Sequence, residues 1–368
     1  MSVQVGYGKQ IVWFLISIII VLSVVEGSVR IYEVVSPFCH YLTSDAGKEI
    51  DLELREKICK QSEFIKITEY PVTQYEPNQD HDTITINSFG LRGADFNEKK
   101  DPNVFRILMV GGSTVFGSGS TSDNTTIPAF LQKEFLDDSY DVEVINAGVV
   151  TVTSIEEAYK IRYIYKNYQP DMFLVFDGWN DGFQHLENKE LDLGDTSDKY
   201  KIPSEKSSFQ IWINEKLQMF RTIFVLAPFF SHHSISMTLN DEVYEKNSEI
   251  WSNRWASVCE ENNEDKIKTI IVLQPIVGTG TKQLSPSEKI HSDYIKPVKI
   301  REQLEFFSKT LPIESCSASF DLRNVFDNIQ KPIYFDGVHT NDLGNKVIAN
   351  QIYERIVSVI INDIKMKK

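Results

Sequence analysis

Four short polar stretches carry the residue types of acyl-transfer chemistry. They are Gly111-Gly112-Ser113-Thr114, Asn146-Ala147-Gly148, Gly178-Trp179-Asn180-Asp181 and Asp336-Gly337-Val338-His339. Such a reaction needs a nucleophile, a base, a group that orients the base, and donors for the developing oxyanion. Ser113 sits in a glycine-flanked turn that can expose its hydroxyl, ahead of a helix whose N-terminal dipole favours negative charge. His339, with an ordinary pKa of about 6.5, can take and return a proton at neutral pH. Asp336, three residues earlier, is close enough in a tight loop to hold the imidazole tautomer. The Ser113 and Gly148 amides and the Asn180 side chain are candidate oxyanion donors, each worth about 3–4 kcal/mol when well aimed.

Alone, each stretch also reads as a plain turn, and His339 as a structural histidine. Their placement binds them together. Phe105–Val110, Val142–Ile145 and Met172–Phe176 read as buried strands, and the first three stretches follow them directly. Lys268–Leu273 and Ala318–Leu322 continue the strand pattern. Helical spacing appears over Ile127–Leu136, over Ser154–Tyr168 with Ser154 and Glu157 as a capping box, over Gln303–Leu311 and over Asn341–Ile361. Strands alternating with helices predict an α/β domain with a parallel sheet covered on both faces. In such sheets ligands collect beyond the carboxyl ends of the strands, which is where these residues fall.

Taken in order, GGSTVFG (111–117), NAGV (146–149), GWNDG (178–182) and DGVHTN (336–341) resemble the four blocks of the SGNH, or GDSL-like, hydrolase superfamily. The resemblance implies Ser113 as nucleophile, Asp336 and His339 as its partners, and Gly148 and Asn180 as oxyanion donors. It also implies a flavodoxin-like three-layer α/β/α sandwich and ester hydrolysis without metal or cofactor. NSFGLRG (87–93) resembles the lead-in segment of membrane-anchored members. Gly112 stands where the first block usually has Asp, a position outside the triad. The blocks do not separate small esters, lipids and acylated glycans as substrates.

Ile11–Val25 is apolar apart from two serines, with Lys9 before it and Glu26 after it. A membrane helix needs roughly 20 residues, and Tyr7, Trp13 and Tyr32 supply interfacial flanks. An uncleaved signal-anchor and a cleaved signal peptide are both open readings. The expected organisation is an anchor over residues 1–32, a stalk or N-terminal decoration over 33–82, and a catalytic domain over 83–368 with a long insertion at about 183–265. The decoration is polar, broken by Pro37, Pro71 and Pro77, with one helical stretch near Asp51–Lys66. Cys39, Cys59, Cys259 and Cys316 suit two disulfides in an oxidising compartment or four buried thiols. With the Asn124-Thr125-Thr126 sequon, they place the catalytic body outside the membrane.

A net charge of −14 argues against nucleic acid as a partner. GGSTVFGSGS lacks the Gly-Lys-Ser/Thr ending of a phosphate loop, and His232-His233 has no further ligand at metal spacing. Trp179, Phe183 and His185 either line a substrate mouth or pack beneath the third loop. The expected function is serine-dependent ester hydrolysis at the outer face of a membrane. Acyl transfer to a surface glycan through the same site and an inactive tethered binding domain are the alternatives.

Overall fold

Apolar runs without polar alternation must be buried on both faces, and here they form a single five-stranded parallel sheet. The computed structural model describes residues 6–35, 39–61, 64–187, 207, 241–296 and 299–367. Its sheet strands are β1 (Phe105–Gly111), β2 (Val142–Gly148), β3 (Met172–Asp177), β4 (Lys268–Leu273) and β5 (Ala318–Asp321). The spatial order β2-β1-β3-β4-β5 is that of a flavodoxin-like doubly wound domain. All neighbours in it run parallel.

The register is what positions the loops. Gly111, the last residue of β1, pairs with Gly148 of β2 on one side and with Phe176 of β3 on the other. Three strands therefore end level, and the three polar stretches that follow them emerge side by side.

Helices cover both faces. On one, Ile127–Asp137 packs against the closing helix Asp342–Lys367, which presents Ile348, Ile352, Ile356, Ile360 and Ile364 along one buried stripe at four-residue spacing. On the other lie Ser154–Tyr163, Asp241–Glu264 and Ile300–Lys309. Within the stretch expected to be an insertion, Asp241–Glu264 buries Trp251, Trp255 and Val258 completely. Residues 188–206 and 208–240 of that stretch, His232-His233 included, lie outside the described residues.

The described residues from His40 onward, Ser207 apart, group with the α/β unit, whereas the helix Tyr7–Val35 and Cys39 belong to a separate unit. The helix Leu52–Gln61 is shorter than the expected Asp51–Lys66. Two small antiparallel pairs follow it, Ile67–Thr68 with Gln74–Tyr75 and Gln79–Asp80 with Thr85–Ile86. The Asp45 amide donates to Ser287 Oγ at 2.8 Å, and the Ser287 amide donates to Asp45 Oδ2 at 2.9 Å. In the separate unit, Tyr7–Tyr32 contains an 18-residue stretch of mean hydropathy 2.4 and is long and apolar enough to cross a membrane.

Cys259 and Cys316 form a disulfide across 57 residues, joining Asp241–Glu264 to the segment that enters β5. No described cysteine is free, which excludes the buried-thiol reading. Closing a loop of that length restricts the unfolded chain, and losing such a bridge typically costs about 2–5 kcal/mol. Replacing both cysteines with alanine should lower the thermal unfolding midpoint clearly. An unchanged midpoint would show that the bridge contributes nothing to stability.

Candidate active site

Strand β1 delivers Ser113 directly. After Gly111 the chain turns through Gly112 and enters a single helical turn, Ser113–Phe116, with Ser113 first. The amides of a first turn have no acceptor within the helix, so the Ser113 N–H is available to a ligand. A Cβ at Gly112 would come within 2.6 Å of Asn180 Nδ2, so a larger residue there would require the Asn180 side chain to shift.

His339 arrives from the far end of the chain on a tight turn. A bridge between Tyr334 and Thr340 closes its base, and the Phe335 amide donates to the His339 carbonyl at 2.9 Å. The Val277 amide, beyond β4, donates to the Gly337 carbonyl at 2.9 Å and moors the turn to the sheet's loops. His339 Nε2 lies 2.7 Å from Ser113 Oγ, and His339 Nδ1 lies 2.7 Å from Asp336 Oδ2. Asp336 Oδ1 accepts the backbone amides of Val338 at 2.9 Å and His339 at 2.8 Å. Such a hydroxyl–imidazole–carboxylate chain is the arrangement that lets a serine lose its proton as it attacks.

The electrostatics agree with the geometry. Burial alone would depress the His339 pKa, but the Asp336 charge and hydrogen bond outweigh it and raise it above the ordinary value. Burial would raise Asp336, yet the His339 charge and three hydrogen bonds hold its carboxyl well below the usual carboxylate range. Asp336 thus stays ionised wherever His339 titrates.

Asn180 is the second residue of the helix Trp179–Glu187. Its Nδ2 donates to the Val152 carbonyl at 2.6 Å, leaving the other N–H of that amide to serve a ligand. Gly148 is placed differently from expectation. Its amide donates to Asn146 Oδ1 at 3.0 Å instead of pointing free into the site. The neighbouring Val149 amide faces β1, where it donates to Gly111 O at 3.0 Å, so the Gly148 amide faces away and a short Asn side chain two residues back captures it. What Gly148 does provide is clearance. A Cβ there would collide with the backbone of Val115 and Phe116 in the serine's own helix.

Trp179 and Phe183 stack on each other with ring centroids 5.8 Å apart, both half-buried against the core. A Cβ at Gly337 would meet the Trp179 ring at 2.8 Å, so Trp179 backs the histidine turn. The His185 side chain lies outside the described residues.

Several positioning residues escaped the sequence reading. Arg92, inside NSFGLRG, is buried and donates from Nη1 to the carbonyls of Phe116 at 3.0 Å and Gly117 at 2.8 Å. It thereby satisfies carbonyls that a one-turn helix would leave bare. Its charge is met by Asp123 at 2.8 Å. Ser154 does not cap through Glu157 as expected, because Thr153 occupies the cap position and the Ser154 hydroxyl bonds Asp181. Asp181 Oδ2 also accepts the Ser154 amide at 2.8 Å, and Arg254 Nη1 donates to Ser154 Oγ at 2.6 Å. Beneath Gly178, the Asp177 carboxyl accepts Trp251 Nε1 at 2.7 Å and Trp255 Nε1 at 3.3 Å. Burial, and then the charge of Asp181, push that carboxyl above its ordinary range. The two tryptophans, four residues apart on one helix, were the one sequence signal pointing to this cluster.

Two outcomes follow from this geometry. A base must be neutral, so activity should fall with acid as His339 protonates, and the acid limb of kcat/KM should centre above about 6.5. A limb centred below that value would contradict the raised histidine. The stability linkage runs the other way. The contribution from His339 is present below about 6.5 and is lost as pH rises through its raised folded value. Second, Gly148→Ala should displace the Ser113 turn and cut kcat by about 100-fold or more, with a lower unfolding midpoint, because the obstruction is backbone. Activity within about twofold of wild type would show that the turn can yield.

The sequence matches the family described as GDSL-like Lipase/Acylhydrolase over residues 107–352, roughly two-thirds of the chain. No curated protein shows significant similarity to it. Among solved structures, an acetyl xylan esterase, AlAXEase, is 13% identical with a TM-score of 0.39, covering 68% of this chain and 100% of that one. LAE5, an alpha/beta hydrolase enzyme from the metagenome of Lake Arreo, Spain, is 13% identical with a TM-score of 0.39, covering 69% and 94%. TesA is 14% identical with a TM-score of 0.38, covering 69% and 97%. Likenesses this distant carry no argument about substrate, and the assignment rests on the sequence match. The chain belongs to the GDSL-like lipase/acylhydrolase family and is an ester-hydrolysing enzyme.

Proposed function

We propose that the ester is cleaved through Ser113, with His339 as base and Asp336 as its orienting partner. The observation that carries this reading is the continuous contact from Ser113 Oγ through the imidazole to Asp336, with both separations at 2.7 Å. His339 Nε2 takes the hydroxyl proton as Oγ attacks the ester carbonyl. The carbonyl oxygen becomes an oxyanion held by the Ser113 amide and the second N–H of Asn180. Gly148 could join them only by releasing Asn146. Collapse of the tetrahedral species breaks the bond to the alcohol, which leaves with the proton from His339. Water, deprotonated by the same imidazole, then attacks the acyl-serine and frees the acid.

We place this chemistry outside a membrane, with Tyr7–Val35 as an uncleaved anchor. At about 1.5 Å per residue its 29 residues extend about 43 Å, enough to pass a hydrocarbon core with turns to spare. The Cys259–Cys316 disulfide favours an oxidising compartment for the enzyme body.

Ser113→Ala should abolish covalent labelling by a fluorophosphonate and lower kcat on a simple ester by about 10⁴-fold or more. Equal labelling of the variant would exclude Ser113 as the nucleophile.

A further inference from the structure

The turn that carries His339 leans on a helix to which the reaction assigns no part. That helix, Pro286–Ile295, opens on Ser285, whose hydroxyl accepts the Glu288 amide. Glu288 Oε2 accepts the Ser285 amide in return, at 2.8 Å. This exchange is all that a capping box asks of its glutamate. Here, however, the side chain is wholly buried, and Oε1 accepts the backbone amides of Ile333 at 2.8 Å and Tyr334 at 3.1 Å. We propose that Glu288 is a positioning residue for the reaction, fixing the Asp336–His339 turn against Ser113 through those two amides. The inference rests on the reading of Ser113 as nucleophile and His339 as base.

The place of the two amides gives them leverage. Ile333 and Tyr334 open the turn, since the Ile333 carbonyl accepts the Asn341 amide at 2.9 Å and Tyr334 is bridged to Thr340. Lys282, also buried, lies 3.3 Å from Glu288 Oε2 and donates to the Lys331 carbonyl at 3.0 Å. The ion pair therefore holds the chain on both sides of Pro332. The far end of the helix meets the turn as well, because a Cβ at Gly337 would come within 3.4 Å of Ile295 Cγ2. Contacts from one helix thus bracket Asp336.

Chemistry distinguishes this role from capping. Four N–H donors converge on Glu288: the Ser285, Ile333 and Tyr334 amides and the Lys282 ammonium. A carboxylate only accepts and can meet all four. Glutamine has one oxygen, and the Lys282 charge favours that oxygen on its own side. The NH2 group would then face the Ile333 and Tyr334 amides, donor against donor. A capping box accepts glutamine in place of glutamate, so Glu288→Gln preserves the cap while releasing the turn.

The test uses the full chain and 4-nitrophenyl acetate, with rates expressed per site labelled to completion by a fluorophosphonate. Glu288→Gln should lower kcat by about 10-fold or more with KM within about threefold. It should also move the acid limb of kcat/KM to lower pH, because Asp336, whose charge raises His339, is held less closely. The variant with Cys259 and Cys316 both replaced by alanine is the reference, since its stability is lost elsewhere. It should keep kcat per labelled site within about twofold and leave the acid limb in place. If Glu288→Gln does not fold, Glu288→Asp gives the same comparison, keeping the charge but losing the reach to both sets of donors. A folded Glu288 variant with the kcat and pH profile of the wild type, or of the disulfide-free reference, overturns the positioning role while Ser113 keeps its own. Absence of labelling in the wild type would instead overturn the nucleophile, and this inference with it.

Discussion

The contact between His339 Nε2 and Ser113 Oγ joins residues 226 positions apart, and it cannot hold itself together. The imidazole and Asp336 side chains remain about one-fifth exposed, and a partly solvated hydrogen bond contributes only about 1 kcal/mol net. Its geometry must be imposed from outside. The serine is set by the level ending of β1, β2 and β3 and by Arg92 on the carbonyls that close its helical turn. The histidine is set by a bridged turn moored to the loop beyond β4. A shift of one residue in the register of β1 would carry Ser113 out of proton-transfer range, so the buried apolar strands are part of the chemistry.

A second layer locks the loops to one another. Asn180 holds Val152, Asp181 holds Ser154, and Arg254 reaches Ser154 from the helix Asp241–Glu264. The third polar stretch is thereby tied to the chain just beyond the second. Burying two carboxyls this close is costly unless partners or protons relieve it. Both remedies are present. Arg254 lies 3.8 Å from Asp181, while the raised Asp177 favours its protonated form and accepts two indole N–H groups. The rigidity of Asn180 thus depends on a polar cluster with no direct access to the substrate.

Fold class was legible, and so were the three residues that meet at the candidate site, because each left a local signature. Apolar runs closed by Gly-Gly-Ser, Asn-Ala-Gly or Gly-Trp-Asn announce strands that end in polar loops, and Asp336 and His339 stand within one turn. The helix Asp241–Glu264 left no such mark. It buries Asn247, Ser248, Arg254 and Asn262 along with its tryptophans, so no clean apolar stripe shows. Gly148 was ambiguous for a related reason: its residue type fits both donor and spacer, and its amide is here taken by Asn146 Oδ1. Arg92 reads in sequence as an exposed charge, because the backbone carbonyls that it serves belong to residues more than twenty positions away.

The segment between His40 and Arg92 shows the largest gap between sequence and structure, and its role bears on where specificity lives. Polar and interrupted by prolines, it looks like a spacer, yet it buries Ile58, Val72, Tyr75, Ile84 and Ile86. Three of these, Tyr75, Ile84 and Ile86, cluster with Phe116, Val149 and Val152, residues of the loops that carry the chemistry. A chain begun at Asn87 would keep every triad member and Arg92. It would lose Tyr75 from the face of Phe116, and with it the oxygen that holds the Val150 amide. The α/β frame carries the candidate site, whereas the segment before it packs against the loops beside that site. Function grafted onto a shared fold is expected to diverge in such additions, since they can change what is bound without disturbing what reacts.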